Sequence, residues 1–336
     1  MARALRLWLL LAVAAAAAAL LALASGSVAT PPGEVWRLLW APDASSTSQV
    51  LHGLRLPRAL AAFGVGGLLA LAGALMQVLL RNPLADPYVL GVSGGASVGA
   101  LLALMLAGSA LAVQAGAFGG ALASIVLVFT LAQRDLSRLD TTARLDSAPR
   151  LLLTGVMLAA LWSALITVLL MLAPEARLRG MLFWLAGDLG GGEAGVASLA
   201  PLMVLGVVLL LAWPLARELN VLLRGTAAAQ SLGVPVLRLR RIVYALASLA
   251  TAVAVTTGGA IGFVGLVVPH ALRLLLGNDQ RVLLPACALA GGTLLLLTDT
   301  IARTLVAPQQ LPVGVITALL GVPTFIALLL GRGGRK

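Results

Sequence analysis

Apolar stretches close to the length of about 20 residues that crosses a lipid bilayer recur along nearly the whole of this chain, separated by short segments that hold most of its arginines. Ten can be marked, at 5–25, 56–80, 90–107, 114–132, 151–172, 195–216, 239–259, 261–277, 284–303 and 313–331. In lipid every backbone N–H and C=O must find its partner inside the protein, so stretches of this kind read as helices. A water-soluble helical protein is the alternative, and composition argues against it. Hydrophobic residues make up 60% of the chain and charged ones 10%, against about 25% charged in an ordinary soluble domain. So few charges cannot coat a globule of 336 residues. The expected fold class is all-α, a single polytopic membrane domain over 1–336 with about ten spanning helices.

The net charge of +11 reads as topology. Aromatic residues are 4% of the chain, too few for base-stacking platforms, so nucleic acid is not an expected partner. With the N-terminus inside, the segments left outside carry Arg37, Arg55, Arg58, Arg177, Arg179 and Arg303, and the other seventeen of the 23 Lys and Arg fall inside. That bias predicts cytoplasmic N- and C-termini. The apolar run ending at Ala24 is about 18 residues, longer than a usual signal-peptide core, so it is expected to be a retained first span.

Glycines recur at four-residue spacing as Gly91, Gly95 and Gly99, as Gly116 and Gly120, and as Gly258 and Gly262. Small residues let helix backbones approach closely in lipid, so the spacing predicts a tight bundle. A faint echo links Leu54–Ala61 with the segment from Leu237, and Gly73-Ala-Leu with Gly259-Ala-Ile, in spans of opposite direction, as an inverted repeat would give. No GxxxxGK[ST] loop is present to cradle phosphates. His52 and His270 are the only histidines and Cys287 the only cysteine, so neither a metal site nor a disulfide is expected. The chain reads as a transport component that is not itself an enzyme and binds no cofactor.

Polar residues inside spans carry information because they are costly in lipid. Gln77 lies near the inner end of the second span. Asp299 and Arg303 are four apart and share a helix face, where they can pair. His270 follows Pro269, whose missing N–H frees a carbonyl for a polar neighbour. Arg55 and Arg58 bracket Pro57 at the outer mouth of the second span and offer a docking point for an acidic partner. The cytoplasmic loop 217–241 favours a short helix stopped by Gly233 and Pro235. Its Leu222, Leu223 and Leu232 call for a cover, either a soluble partner or the protein's own surface.

Four runs then carry a family likeness: Arg55-Leu-Pro-Arg-Ala-Leu-Ala, Ala72-Gly-Ala-Leu-Met-Gln, Arg81-Asn-Pro-Leu-Ala-Asp-Pro and Leu90-Gly-Val-Ser-Gly-Gly-Ala. The second half adds Gly258-Gly-Ala-Ile-Gly-Phe-Val-Gly-Leu-Val-Val-Pro-His-Ala-Leu-Arg, Asp299-Thr-Ile-Ala-Arg and Leu311-Pro-Val-Gly. Over about residues 35 to 331 the chain resembles the iron-chelate and cobalamin (FecCD-type) permease family of type II ABC importers. The resemblance implies an inverted-repeat bundle in the bacterial inner membrane that works as a homodimer with a path at the two-fold axis. It implies two cytoplasmic ATP-binding subunits, which use ATP-Mg, and a periplasmic substrate-binding protein. The implied cargo is a ferric siderophore or cobalamin, with haem behind them. Arg55, Arg58 and Arg303 are then expected to meet acidic residues of the binding protein, and Leu222, Leu223, Arg224, Gly225, Ala228, Leu232 and Gly233 to couple to the ATPase. Gln77, Asn82, Pro83, Gly91, Gly95, Gly99, Gly262, Pro269 and His270 are expected along the path, with Ser147 and Pro149 in a gate near Asp146–Arg150. Two departures from the family pattern are Thr226 and Gln310, where many relatives carry glutamate. An ion-coupled secondary transporter is the rival reading. It would need charged or broken-helix sites at mid-membrane, and spans one to seven hold no acids there.

Overall fold

The computed structural model describes residues 2–26, 29–106, 108–137, 147–190 and 196–330, and every regular element among them is helical. Helix α1 (Ala2–Ala24) is followed by α2 (Pro32–Trp40), α3 (Ser46–Val50) and a π-helical turn, Leu51–Arg55, that runs unbroken into α4 (Leu56–Leu79). A short 3-10 turn, Pro87–Leu90, leads to α5 (Val92–Leu106), then α6 (Ala110–Ser137) and α7 (Ser147–Leu172). Helices α8 (Glu175–Leu185), α9 (Val196–Ala212), α10 (Ala216–Leu222) and α11 (Thr226–Ser231) come next. The chain closes with α12 (Val236–Gly258), α13 (Val264–Leu276), α14 (Gln280–Thr304) and α15 (Val313–Leu330).

Among the described residues seven helical stretches are long and apolar enough to cross a membrane, and α5, α13 and α15 are shorter apolar helices. Together they fall on the ten expected spans. The two ends of the bundle are called outer and inner after the arginine distribution.

Helix α4 is the hub. In its apolar stretch 89% of residues are buried, against 11% in α7 at the periphery. The cause is written in Leu56–Leu79, where small residues occur on every side. Gly64 faces the backbone of Pro201 and Leu202 on α9, Gly66 faces Gly291 on α14, and Gly73 faces the carbonyl of Gly265 on α13. A second glycine joint joins α5 to α6, where Gly95 meets Gly120 and Gly99 meets Gly116, backbone to backbone. These are the glycines of four-residue spacing, and their missing side chains serve packing. The contacts also fix direction. Gly64 to Pro201 and Gly67 to Leu205 make α9 parallel to α4, while Gly66 to Gly291 and Arg58 to Asp299 make α14 antiparallel.

One break lies inside the bundle. Gly259 and Phe263, at φ of 70° and 69°, fold the chain between α12 and α13. This turn sits where Gly258 packs on Val65 and Gly265 on Leu69, about 10 to 16 Å below Arg58 at 1.5 Å per helical residue. With 13 residues, α13 is about 20 Å long, short of a hydrocarbon core of about 30 Å. The expected span 261–277 therefore begins in non-helical backbone. Tyr88 secures the break, its hydroxyl donating to the Ile261 carbonyl and accepting the Ile261 N–H, each at 3.0 Å. Irregular backbone at such depth persists only where protein satisfies it.

The glycine joints make a prediction. Gly73→Leu drives a side chain into the Gly265 carbonyl and should lower the melting temperature in detergent sharply, the cost being about 1–3 kcal/mol or more. Gly206→Ala, with nothing within 4 Å, should leave it unchanged or slightly higher. Equal melting of the two variants would refute the packing role.

Candidate functional site

At the outer end a cavity of ≈ 1430 Å³ opens among α4, α6, α8, α9, α12 and α14, with Arg55, Arg58, Arg303, Trp184, Asp188 and Gln310 on its wall. The arginines are held by an unusual set of partners. Arg58 Nε donates to both oxygens of Asp299 at 3.1 Å, and its Nη2 to Oδ1 at 2.9 Å. Arg303, one turn on from Asp299 along α14, donates from Nε to Oδ2 at 3.1 Å. One carboxylate thus serves two guanidiniums, and its side chain is 1% exposed while theirs are 13% and 10%. The i, i+4 pairing read from sequence is present, and Arg58 is added to it from another helix.

The remaining donors reach the end of α1. Arg55 Nη1 donates to the Leu23 carbonyl at 2.7 Å and to Thr30 Oγ1 at 3.1 Å, and Arg303 Nη2 to the Ala22 carbonyl at 3.3 Å. A helix C-terminus leaves carbonyls without intrahelical partners and carries partial negative charge, so cations belong there. Arg177 does the same for α5, donating to the Leu104 and Met105 carbonyls at 2.6 Å. Arg37 pairs with Asp43 at 3.1 Å, and Arg179 lies 5.7 Å from the Phe183 ring centre. The six arginines on the sparse side of the charge count are each accounted for. Gln310 accepts from Arg58 Nη1 at 2.9 Å. A glutamate there would neutralise this guanidinium further; with glutamine, Arg55, Arg58, Arg303 and Asp299 sum to +2.

None of the expected path residues lines this cavity. Gln77 is buried and donates from Nε2 to the Leu266 carbonyl at 3.4 Å, one residue along from the carbonyl that Pro269 frees. Asn82 turns the chain after α4, its Oδ1 accepting the Leu84 N–H at 2.9 Å across Pro83. Gly91, at φ 67°, ends the 3-10 turn, and its carbonyl accepts from Ser124 Oγ at 2.9 Å, which in turn accepts the Trp162 indole N–H at 3.1 Å. Gly95 and Gly99 pack backbone to backbone on Gly120 and Gly116 of α6. Gly262 sits in the α12–α13 turn, where an added Cβ would meet nothing within 4 Å. His270 is buried with its ring edge-on to Phe325, centroids 6.0 Å apart. Ser147 and Pro149 open the backbone of α7, while Asp146 lies outside the described residues. The cavity is lined instead by residues that the sequence reading passed over, among them Gln114, Phe118, Phe183, Thr256 and Thr257.

At the inner end the chain makes an elbow. Helices α10 and α11 meet at Gly225, at φ 125°, and α11 stops at Gly233, at φ 77°, whose N–H donates to the Gln230 carbonyl at 2.9 Å. The short helix and its glycine stop appear as expected. One coupling residue does not. Leu222 is fully buried with Ala216 and Leu219 on the inward face of α10, so the permease itself covers it. Leu223 and Ala228 are half-buried, Arg224 is exposed, and Leu232 is 70% exposed, an apolar tip without cover. Thr226 accepts from Arg240 Nη2 at 2.9 Å, the arginine a glutamate would meet as an ion pair. The elbow is tied to α14 by Asn220, which donates to Asp279 Oδ1 and accepts the Gln280 N–H, both at 2.8 Å. Trp8 and Trp213 donate to the carbonyls of Val282 and Arg281 at 3.2 and 3.0 Å, as aromatic side chains at a membrane interface do.

A membrane bundle with a cationic outer cavity and a helical elbow at its inner end is the fold of an ABC-transporter permease. The match is to a metal-chelate type ABC transporter captured inward-facing, with a TM-score of 0.83 and 29% identity over 97% of this chain and 99% of that one. The chain belongs to the FecCD transport family, whose model matches residues 11–331. It is 44% identical to the cobalamin import system permease protein BtuC of Halobacterium salinarum, over 85% of this chain and 75% of that protein. It is 40% identical to the vitamin B12 import system permease protein BtuC of Escherichia coli, over 93% and 88%. PsaBC from Streptococcus pneumoniae shares the fold at a TM-score of 0.56 and 20% identity.

Asp279 supplies a pH-dependent prediction. The hydrogen bond from Arg281 leads the causes that hold its carboxyl down at about 2, with Asn220 adding to them. A depressed carboxyl contributes stability above its ordinary value near 3.8 and loses it as pH falls toward 2. Asp279→Ala should melt lower than wild type at pH 7, by an N-cap's worth of about 1 kcal/mol. The gap should narrow between pH 4 and pH 2.5. A pH-independent gap would place the effect elsewhere.

Proposed function

We propose that this chain is the membrane-spanning subunit of an ATP-driven importer that carries a large metal chelate from periplasm to cytoplasm, with cobalamin the first candidate and ferric siderophores the second. The observation that carries the reading is near end-to-end identity, 40% over 93% of the chain, to a permease named for vitamin B12 import. The chemistry of the two ends supports it. The outer cavity presents +2 where an acidic binding protein would dock. The inner elbow presents Leu232 where an ATPase would seat it. The working unit is two copies of this chain with two ATP-binding subunits below and a substrate-binding protein above, in the bacterial inner membrane with both termini cytoplasmic. ATP-Mg is consumed by the partner subunits, and this chain supplies geometry.

In this reading charge complementarity steers the loaded binding protein onto the outer arginines and sets its register. Nucleotide closes the ATPase pair, and the α10–α11 elbow, anchored to α14 through Asn220 and Asp279, passes the movement into the bundle. Each nucleotide state shifts the permease only by its differential contacts with the two conformations. The bulky chelate then needs a wide, weakly adhesive path. An ion-coupled transporter finds no support at Asp299, because two guanidiniums occupy that carboxylate.

Two measurements test this. Proteoliposomes holding the permease, its ATPase and its binding protein should take up cyanocobalamin only with ATP. Uptake of a ferric siderophore in its place moves the assignment to the second candidate, and uptake driven by an ion gradient without ATP overturns the importer reading. Leu232→Ser should weaken ATPase retention on a purification column by about 1 kcal/mol or more in affinity, while Leu222→Ser should lower the permease's own stability. Undiminished coupling in Leu232→Ser would remove the elbow from the interface.

A further inference from the structure

We infer that Asp299 is the positioning residue of the outer docking site, holding Arg58 and Arg303 in the geometry an acidic partner reads. The inference rests on the docking role proposed for Arg55, Arg58 and Arg303 and deepens it. Asp299 is fully buried, at the outer end of α14, and its two oxygens accept from Arg58 on α4 and Arg303 on its own helix. Two guanidiniums converging on one place repel each other. Both are also largely withdrawn from water, where charges need a partner. The shared carboxylate answers both costs. It leaves Arg58 one further donor, Nη1, directed to Gln310 at 2.9 Å on the cavity wall. Arg303 is turned the other way, onto the last carbonyls of α1. Asp299 thereby registers α1, α4 and α14 at the rim where docking takes place.

A simple charge patch and a positioned one respond to the loss of Asp299 with opposite signs. Asp299→Asn raises the local charge from +2 to +3. If net charge alone attracted the partner, binding would tighten and its salt dependence would steepen. If Asp299 positions the arginines, binding weakens although the site becomes more positive. The test uses the whole transporter in lipid nanodiscs and the cognate substrate-binding protein, with association followed by surface plasmon resonance at several ionic strengths. We expect Asp299→Asn to bind on the order of tenfold more weakly, with a shallower salt slope, and Asp299→Glu to recover part of the loss. Equal or tighter binding by Asp299→Asn overturns the inference. Should Asp299→Asn fail to assemble, Asp299→Glu carries the test alone, and docking unchanged from wild type in that variant overturns the inference. Charge reversal of Arg55 and Arg58 separates the two levels of the argument. Normal docking by that variant removes the docking role itself. Lost docking there, with docking kept in Asp299→Asn, removes only the role of Asp299.

Discussion

Apolar helix faces gain little by meeting one another in lipid, so a bundle like this one is held by how closely its backbones approach. That approach is decided on α4. Gly64, Gly66 and Gly73 bring α9, α14 and α13 against it with no side chain between. The other features hang from this hub. Gly66 opposite Gly291 sets the register in which Arg58 arrives beside Asp299, two turns further out. Gly73 opposite Gly265 seats α13 so that the α12–α13 turn can lie inside the bundle, within reach of Tyr88.

The charges obey the same economy of burial. Positive side chains on the outer side are uncommon in a permease oriented by its arginines. Here four of the six lie where the protein supplies negative potential, at the carbonyl ends of α1 and α5 and at the single buried carboxylate of α14. A helix that runs outward ends in unpaired carbonyls at the outer face, so the topology itself creates the sites that these arginines fill. What is left over is a net positive rim around a cavity, which suits an acidic protein better than it suits lipid.

The ten spans, their order and the likeness to FecCD permeases were legible along the chain, because the length and apolarity of a span are local properties. So was the pairing of Asp299 with Arg303, which needs only helical spacing. The third member, Arg58, lies 241 positions away, and nothing local announces it. Residue type also misled at one place. Leu222 and Leu232 look equally exposed to a partner in the sequence, yet one faces the core and the other points away from it. The four-residue spacing of Gly95 and Gly99 did point to a joint, and the carbonyls of Gly120 and Gly116 opposite them supply its other half. The spacing rule passes over Gly64, Gly66 and Gly73, although these hold the hub.

By itself the sequence determined the solvent, the approximate number of spans, the uneven distribution of charge between them and the family, since each follows from composition and from patterns within about 20 residues. Only the tertiary structure decided which arginines share a carboxylate, which leucine is uncovered, where the backbone breaks and which residues wall the outer cavity. Those facts depend on side chains from distant spans meeting at one depth. Depth is set by the register of backbone against backbone, which no single stretch of the chain contains.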